Sequence, residues 1–302
     1  MTGYLIAGGS GFIGSHLSRK LKEKGEEVCL LTRKSNPSLA FKQIEWNPYR
    51  NEEFRAKEIE GYDVVVNLMG AGIDKRWSKA YKNEIQNSRI ATTSNLVKAI
   101  NNAGVKPKIF VSASAIGYYG TVEDGKVNEG SDSGKDFLAD LSRKWEGAAS
   151  EIDRDVKLII PRFGVILGKD GGAFPQLKRA VESGISFNLM GRSSWKSWVH
   201  IEDAVSSIIF MIDKGFHGIY NVVSPNAVSM ENLMNSIAKR IDRKIRVRLG
   251  PHAAALLLGE GSEYSIFGGQ NVIPSKLLEV GFDFRFPNLD DALDDLLMAT
   301  RQ

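Results

Sequence analysis

The stretch Gly3-Tyr4-Leu5-Ile6-Ala7-Gly8-Gly9-Ser10-Gly11-Phe12-Ile13-Gly14 decides how this chain is read. It begins as a short apolar run. Its glycines then satisfy Gly-x-x-Gly-x-x-Gly at 8, 11 and 14 and Gly-x-Gly-x-x-Gly at 9, 11 and 14. Beyond it, Ile13, Leu17 and Leu21 recur at four-residue spacing until Lys22, Lys24 and Gly25 give a helix stop signal. A second apolar run, Val28-Cys29-Leu30-Leu31, follows. In a strand, glycine turn, helix, strand sequence, glycines let backbone N–H groups approach a pyrophosphate whose charge the helix N-terminus stabilises. The stretch therefore predicts a dinucleotide site, with Gly8, Gly9, Ser10, Gly11, Phe12 and Ile13 in the turn that meets the phosphates.

The end of the second run selects among dinucleotides. An acid there holds free ribose hydroxyls, whereas arginine accommodates a 2′-phosphate. The residues are Thr32-Arg33-Lys34, with no acid among them. NADP(H) is the expected cofactor.

Outward from this unit, strand-like runs at 3–7, 27–32, 63–68, 108–113 and 156–161 alternate with helical stretches, one of them at 136–152. That alternation predicts an α/β fold, a Rossmann-type doubly wound parallel sheet. After about residue 165 the pattern changes to the loop Gly168-Lys169-Asp170-Gly171-Gly172 and shorter, mixed elements. The expected division is a cofactor domain at 1–165, to which 199–224 returns as a helix and a strand. A smaller mixed α/β C-terminal substrate lobe takes 166–198 and 225–302. Within that lobe, alternating Phe282, Phe284 and Phe286 read as a half-buried strand, and 288–300 reads as an amphipathic helix. The basic run 239–248 alternates Ile245, Val247 and Leu249 with Arg246 and Arg248, as a half-exposed strand does.

Composition removes other classes. At 302 residues, with 42% apolar and 25% charged residues, the chain can bury a full core and is not disordered. A net charge of +4 is too weak to imply a nucleic-acid partner. The single cysteine, Cys29, excludes an internal disulfide or a multi-cysteine metal site and is expected in the core. No apolar stretch is long enough to span a membrane, and the N-terminus lacks a signal peptide's charge and apolar core, so a cytoplasmic protein is expected.

Further motifs point to a family. The glycine turn, Asn67-Leu68-Met69-Gly70, and Ser112-Ala113-Ser114-Ala115-Ile116-Gly117-Tyr118-Tyr119-Gly120 resemble the extended short-chain dehydrogenase/reductase superfamily. Arg76-Trp77, Ser88-Arg89 with Thr92, Trp145-Glu146, the run 162–168, Trp198-Val199-His200-Ile201-Glu202-Asp203 and Gly281-Phe282 narrow the resemblance. They are similar to the atypical epimerase-family proteins, of NAD-dependent epimerase/dehydratase type, which carry a small C-terminal domain of unknown function. The resemblance covers almost the whole chain. It implies pyrophosphate contacts from Gly11, Phe12 and Ile13 and 2′-phosphate recognition by Thr32 and Arg33. It also implies that Leu68, Met69 and Gly70 lie along the adenosine and inner ribose, with Glu84 and Arg89 approaching from the side.

One expected feature is missing. The superfamily moves its proton with a Tyr-x-x-x-Lys pair, yet none of the eight tyrosines is followed four residues later by lysine. In the helix where the pair belongs, aligning on Lys144 puts Asp140 at the tyrosine position, and aligning on Glu146 puts Leu138 there and Ser142 at the lysine. A positioned proton-transfer group is worth about 10²–10⁴-fold in rate. The candidate substitutes are Ser114, where the superfamily keeps a catalytic Ser/Thr, and Tyr118 or Tyr119 just beyond it. His200 reads as a packing residue, with Glu202 and Asp203 favouring a helix N-terminus. Arg192, Trp195 and Lys196 are candidates to face a substrate cleft.

Two functions remain open on these grounds. One is an NADP(H)-dependent oxidoreductase or epimerase of an unidentified small molecule, sugar-nucleotide-like compounds among the candidates, with an atypical proton donor. The other is a non-catalytic NADP(H)-binding sensor or scaffold. Neither calls for a metal, nucleic acid or membrane, and a homodimer is the assembly to test.

Overall fold

Leu5 and Ile6 show at once why the chain folds as it does: neighbours in one strand, they enter separate cores on opposite faces of one sheet. A computed structural model describes residues 1–48, 53–73, 75–187, 195–251, 253, 256 and 268–298. Its main sheet has eight strands: β1 (Gly3–Ala7), β2 (Glu27–Thr32), β3 (Lys42–Glu45), β4 (Val64–Asn67), β5 (Ile109–Ser112), β6 (Ser114–Ala115), β7 (Lys157–Phe163) and β12 (Gly218–Val222). The order is β12-β7-β5-β4-β1-β2-β3, every pairing is parallel, and β6 extends the pairing beside β7. Because strands buried on both faces need helices on both sides, the continuous apolar runs of β1, β4 and β5 fit this arrangement.

On one face, Tyr4, Ile6, Leu30, Val64 and Val66 pack with α1 (Phe12–Glu23) and α6 (Ile201–Asp213). On the other, Leu5, Cys29, Leu31 and Val65 pack with α3 (Ile90–Asn101) and α4 (Phe137–Ser150). α2 (Lys79–Asn87) precedes α3 and is N-capped by Ser78. Burial pushes the Cys29 thiol pKa up, as suits a core residue. The sheet changes direction between β1 and β4, so their carboxyl ends open the crevice where doubly wound sheets bind ligands.

A third core holds Phe174 and Val181 of α5 (Phe174–Glu182), Leu233 and Ile237 of α7 (Met230–Arg240), and Leu293 and Leu296 of a C-terminal helix at Leu289–Met298. Three short two-stranded pairings edge this lobe. β8 (Val165–Leu167) pairs with β11 (Trp198–His200), β9 (Ile185–Phe187) with β14 (Val247–Leu249), and β10 (Trp195–Lys196) with β13 (Val228–Ser229). Among the described residues no helix is long and apolar enough to cross a membrane.

One strand went unread in the sequence, and one expected strand needs correction. Edge strand β3 escaped the reading because Lys-Gln-Ile-Glu has no apolar run; its pairing with β2 specifies it. Phe282, Phe284 and Phe286 are buried as expected but form no strand. The Asp203 carboxylate accepts the Arg285 and Phe286 backbone N–H groups at 2.8 and 2.9 Å, doing for this segment what a neighbouring strand would do. Phe282 and Phe284 enter the first core and Phe286 the third, so the segment ties the two together.

Candidate active site

The glycine turn has no room for side chains. A Cβ at Gly14 would come within 2.2 Å of the Gly8 carbonyl oxygen, and one at Gly8, whose φ is +80°, within 2.9 Å of the Leu68 backbone. Gly11 donates its N–H to the Gly8 carbonyl at 2.9 Å and stands at the N-cap of α1. No side chain caps that helix and no acid lies in its first turn, which leaves its positive end available to an anion. At the end of β2, Thr32 Oγ1 is buried without a hydrogen-bond partner, an unmet polar group at the mouth of the crevice. These features fit a dinucleotide's pyrophosphate and ribose.

Arg33 is exposed just beyond Thr32. The loop carrying it is held by β3: Ser35 donates its N–H to Glu45 Oε1 and Asn36 to Gln43 Oε1, both at 2.8 Å. The Ser35 hydrogen bonds hold the Glu45 carboxyl below its usual range. The acid nearest the ribose end is thereby committed to shaping the loop.

Leu68, Met69 and Gly70 follow β4; Leu68 and Met69 lie against Gly8 of the glycine turn, with Leu68 N–H donating to the Ala7 carbonyl at 2.8 Å. Asn67 shapes this loop: Oδ1 accepts the Met69 N–H at 3.2 Å, and Nδ2 donates to Thr93 Oγ1 at 2.8 Å. Thr93 Oγ1 also accepts the Trp145 indole N–H at 3.0 Å. Arg89 packs between Gly70 and Trp145, with its guanidinium carbon 3.0 Å from where a Gly70 Cβ would stand and 5.3 Å from the indole centroid. Glu84 lies on the exposed side of α2.

Where the Tyr-x-x-x-Lys pair is missing, a buried network begins. Ser114 donates its hydroxyl to Glu146 Oε1 at 2.6 Å. Arg162 grips the same carboxylate with both arms, Nε to Oε1 and Nη2 to Oε2, each at 2.8 Å. Its third arm, Nη1, donates to the Tyr119 hydroxyl at 2.9 Å, and Tyr119 in turn donates to Asn221 Oδ1 at 2.8 Å. The guanidinium also lies 3.4 Å from the centroid of the Tyr118 ring. Burial disfavours the charge on Arg162, but the bonds to Glu146 overcome that and its pKa is raised. Burial raises the Tyr119 pKa despite the opposing pull of Arg162. The structure thus joins Ser114, Tyr118 and Tyr119 through Glu146 and Arg162, two residues to which the sequence reading gave no site role. Their signal was present: each is a charge set within an apolar pattern, one on the α4 stripe and one inside β7. Leu138 and Ser142 face Gly117, with Leu138 Cβ 3.3 Å from where a Gly117 Cβ would be.

From the second lobe, Lys196 is buried and donates to the Gly268 carbonyl; burial lowers its pKa to about 7. Trp195 is half-buried beside it, and Arg192 lies outside the described residues. His200 is a packing residue. Its Nδ1 accepts the Glu202 N–H at 3.2 Å, capping α6, and its ring lies 4.0 Å from that of Phe286.

Comparison with known proteins shows the family. The model of the NAD dependent epimerase/dehydratase family matches residues 4–223, and that of a domain of unknown function (DUF1731) matches 252–296. The Arabidopsis thaliana epimerase family protein SDR39U1 homolog, chloroplastic, is 36% identical over 294 residues, covering 95% of this chain and 84% of its own length. An epimerase family protein of Staphylococcus saprophyticus is 33% identical over 308 residues, covering 98% of this chain and all of its own. The crystal structure of human epimerase family protein SDR39U1 (isoform 2) with NADPH superposes with a TM-score of 0.86 at 28% identity, over 97% of this chain and 98% of that one. UDP-glucuronic acid 4-epimerase from Bacillus cereus shares the fold, with a TM-score of 0.77 at 17% identity over 99% of this chain and 100% of that one.

Proposed function

The chain belongs to the NAD dependent epimerase/dehydratase family, and from that premise we propose that it is an NADP(H)-dependent oxidoreductase or epimerase of a small molecule, of sugar-nucleotide type. The observation that carries the reading is the glycine turn, closed to side chains and set under the uncapped end of α1. The preference for NADP(H) rests on Arg33, the unpartnered Thr32 hydroxyl and the engagement of Glu45 elsewhere. That the human relative was solved with NADPH supports it.

In this reading the N–H groups of Phe12 and Ile13 receive the pyrophosphate where it passes Gly11, while Thr32 and Arg33 receive the 2′-phosphate. Leu68, Met69 and Gly70 wall the inner ribose, and Arg89, braced on Trp145, borders it. When bound, the nicotinamide gives or takes a hydride at a substrate carbon. Ser114 handles the accompanying proton. Because its hydroxyl donates to Glu146, its lone pairs remain to accept the proton of a substrate hydroxyl, while its own proton passes to the carboxylate. For carbonyl reduction the two transfers run in reverse. Arg162 fixes the carboxylate, and Tyr118 and Tyr119 fix Arg162.

The decisive experiment incubates the protein with NADPH deuterated at nicotinamide C4, each face separately, and a pool of cellular metabolites read by mass spectrometry. Deuterium in a metabolite, abolished by Ser114→Ala with NADPH binding intact, is the expected result. The missing Tyr-x-x-x-Lys pair favours a second reading, a cofactor-binding sensor. NADPH binding without label transfer, and without epimerisation of any metabolite in the pool, would establish that reading instead.

A further inference from the structure

The first turn of α1 is met by a loop more than 150 residues away in sequence, |i−j| being 154 for His16 and Asp170. Phe12, its first residue, sets its ring into a niche made by three glycines of loop 168–172. A Cβ at Gly168 would lie 2.3 Å from the ring, at Gly171 2.4 Å, and at Gly172 3.1 Å. One turn along α1, His16 Nε2 lies 3.1 Å from Asp170 Oδ1 and 3.3 Å from Oδ2, and the His16 ring meets Phe12 edge-on at 5.4 Å. The loop is itself pinned. Ala173 donates its N–H to the Ile166 carbonyl at 2.9 Å, Leu167 and Gly172 form a bridge, and Gly172 has φ +69°. Farther along, α1 is tied to α6 by Lys20, which donates to Glu202 and Ser206, and by Lys24, which donates to Asp213. Those anchors fix the later turns of α1; in the first turn Ile13 packs on the main core and Gly14 on Gly8, while Phe12 and, one turn on, His16 meet loop 168–172.

From this we infer that loop 168–172 is a strap that sets the phosphate-binding turn, and that Asp170, Gly168, Gly171 and Gly172 are positioning residues for dinucleotide binding. The inference rests on the dinucleotide reading above and adds a dependence of cofactor affinity on the second lobe. A backbone anion site acts through N–H groups held within about 0.5 Å of their working geometry. A Cβ in the niche pushes on the Phe12 ring, and because a helix restricts the rotamers to which the ring can turn, the strap reading has the push reach the Phe12 backbone and its N–H. The strap acts on the pyrophosphate end, which NADPH and NADH share, so its loss weakens both cofactors alike and leaves their ratio unchanged. A residue that reads the 2′-phosphate changes the ratio instead.

The test is fluorescence titration of the full chain with NADPH and with NADH, for wild type, Gly171→Ala, Asp170→Ala and Asp170→Asn, with each variant's fold checked by circular dichroism and melting. Gly171→Ala forces its Cβ against Phe12 and is expected to weaken both cofactors about tenfold or more. Asp170→Ala, a largely exposed change that spares the fold if Gly171→Ala does not, is expected to weaken both about three- to fivefold. Asp170→Asn keeps an acceptor for His16 and is expected near wild type. Wild-type affinity in Asp170→Ala, a loss confined to NADPH, or tighter binding in both Asp170 variants through relief of charge repulsion, would overturn the strap while leaving the dinucleotide reading in place. A wild-type chain that binds neither cofactor would overturn both.

Discussion

Replacing Glu146 by Gln tests the centre of the candidate site without any substrate. The carboxylate is buried, and Arg162, only 2% exposed, gives it two hydrogen bonds. Glu146→Gln keeps the shape and an acceptor for one arm, but leaves the guanidinium buried without its counter-charge. Breaking a buried pair from one side costs about 3–5 kcal/mol. At about 2–4 °C per kcal/mol for a chain of this size class, the melting midpoint falls by about 6–20 °C. The assay is thermal and urea unfolding followed by tryptophan fluorescence, to which Trp145, adjacent to Glu146, contributes. Arg162→Met and the double variant complete a cycle. Once both charges are gone no ion is stranded, so the double variant is expected to be far less destabilised than the two single losses summed. A Glu146→Gln midpoint within about 1 kcal/mol of wild type, or additive losses in the cycle, would refute the view that this pair organises Ser114 and Tyr119.

Three other outcomes are expected. Arg33→Glu removes a charge-assisted phosphate contact and adds repulsion, so NADPH should weaken about 10- to 100-fold with NADH little changed; equal losses would sink the NADP(H) preference. Burial holds the His200 pKa down at about 4 against 6.5 in the unfolded chain, so the unfolded state takes up a proton first as pH falls. About 3 kcal/mol of stability is therefore present above pH 6.5 and lost as pH falls to 4, and His200→Asn, which retains a capping acceptor, should flatten urea midpoints across that window. Burial lowers Lys196 from 10.5 to about 7, so the cost of its charge accumulates as pH falls from 10.5 toward 7; Lys196→Met should raise the melting temperature at pH 7 and much less at pH 10.

The parts of the fold legible in the sequence were those whose signal is local. β1, β2 and α6 are strongly patterned, and their ends were read within a residue. The return of residues 218–222 to the sheet was legible because a glycine sets off a short apolar run after a buried-type helix. What escaped depends on partners distant in sequence. β3 is polar and becomes a strand through its register with β2, Thr32 facing Glu45. The phenylalanine segment has the alternation of a strand, but its N–H groups go to one carboxylate more than 80 residues away in sequence, |i−j| being 82 for Arg285 and 83 for Phe286. Alternation specifies burial of every second side chain; it does not specify what takes the backbone hydrogen bonds.

The same distinction runs through the site. The glycine turn was legible because its three elements are contiguous, and Ser114 because it closes a patterned strand. Glu146 is 32 residues from Ser114 and 16 from Arg162 in sequence, so nothing local announces that the three meet. A general rule bears on them: an ionised side chain inside an apolar stripe needs a partner, and among the described buried charges Glu146 and Arg162 take each other, whereas Asp203 takes backbone N–H groups and Lys196 a backbone carbonyl. Applied to the sequence, that rule marks Glu146 and Arg162 as side chains that need partners; the fold decides that they meet, behind the strand end that carries Ser114. In the mechanism proposed above, one pair of ionisable groups takes the place of the missing tyrosine and lysine, and the proton route runs through a serine rather than a phenol.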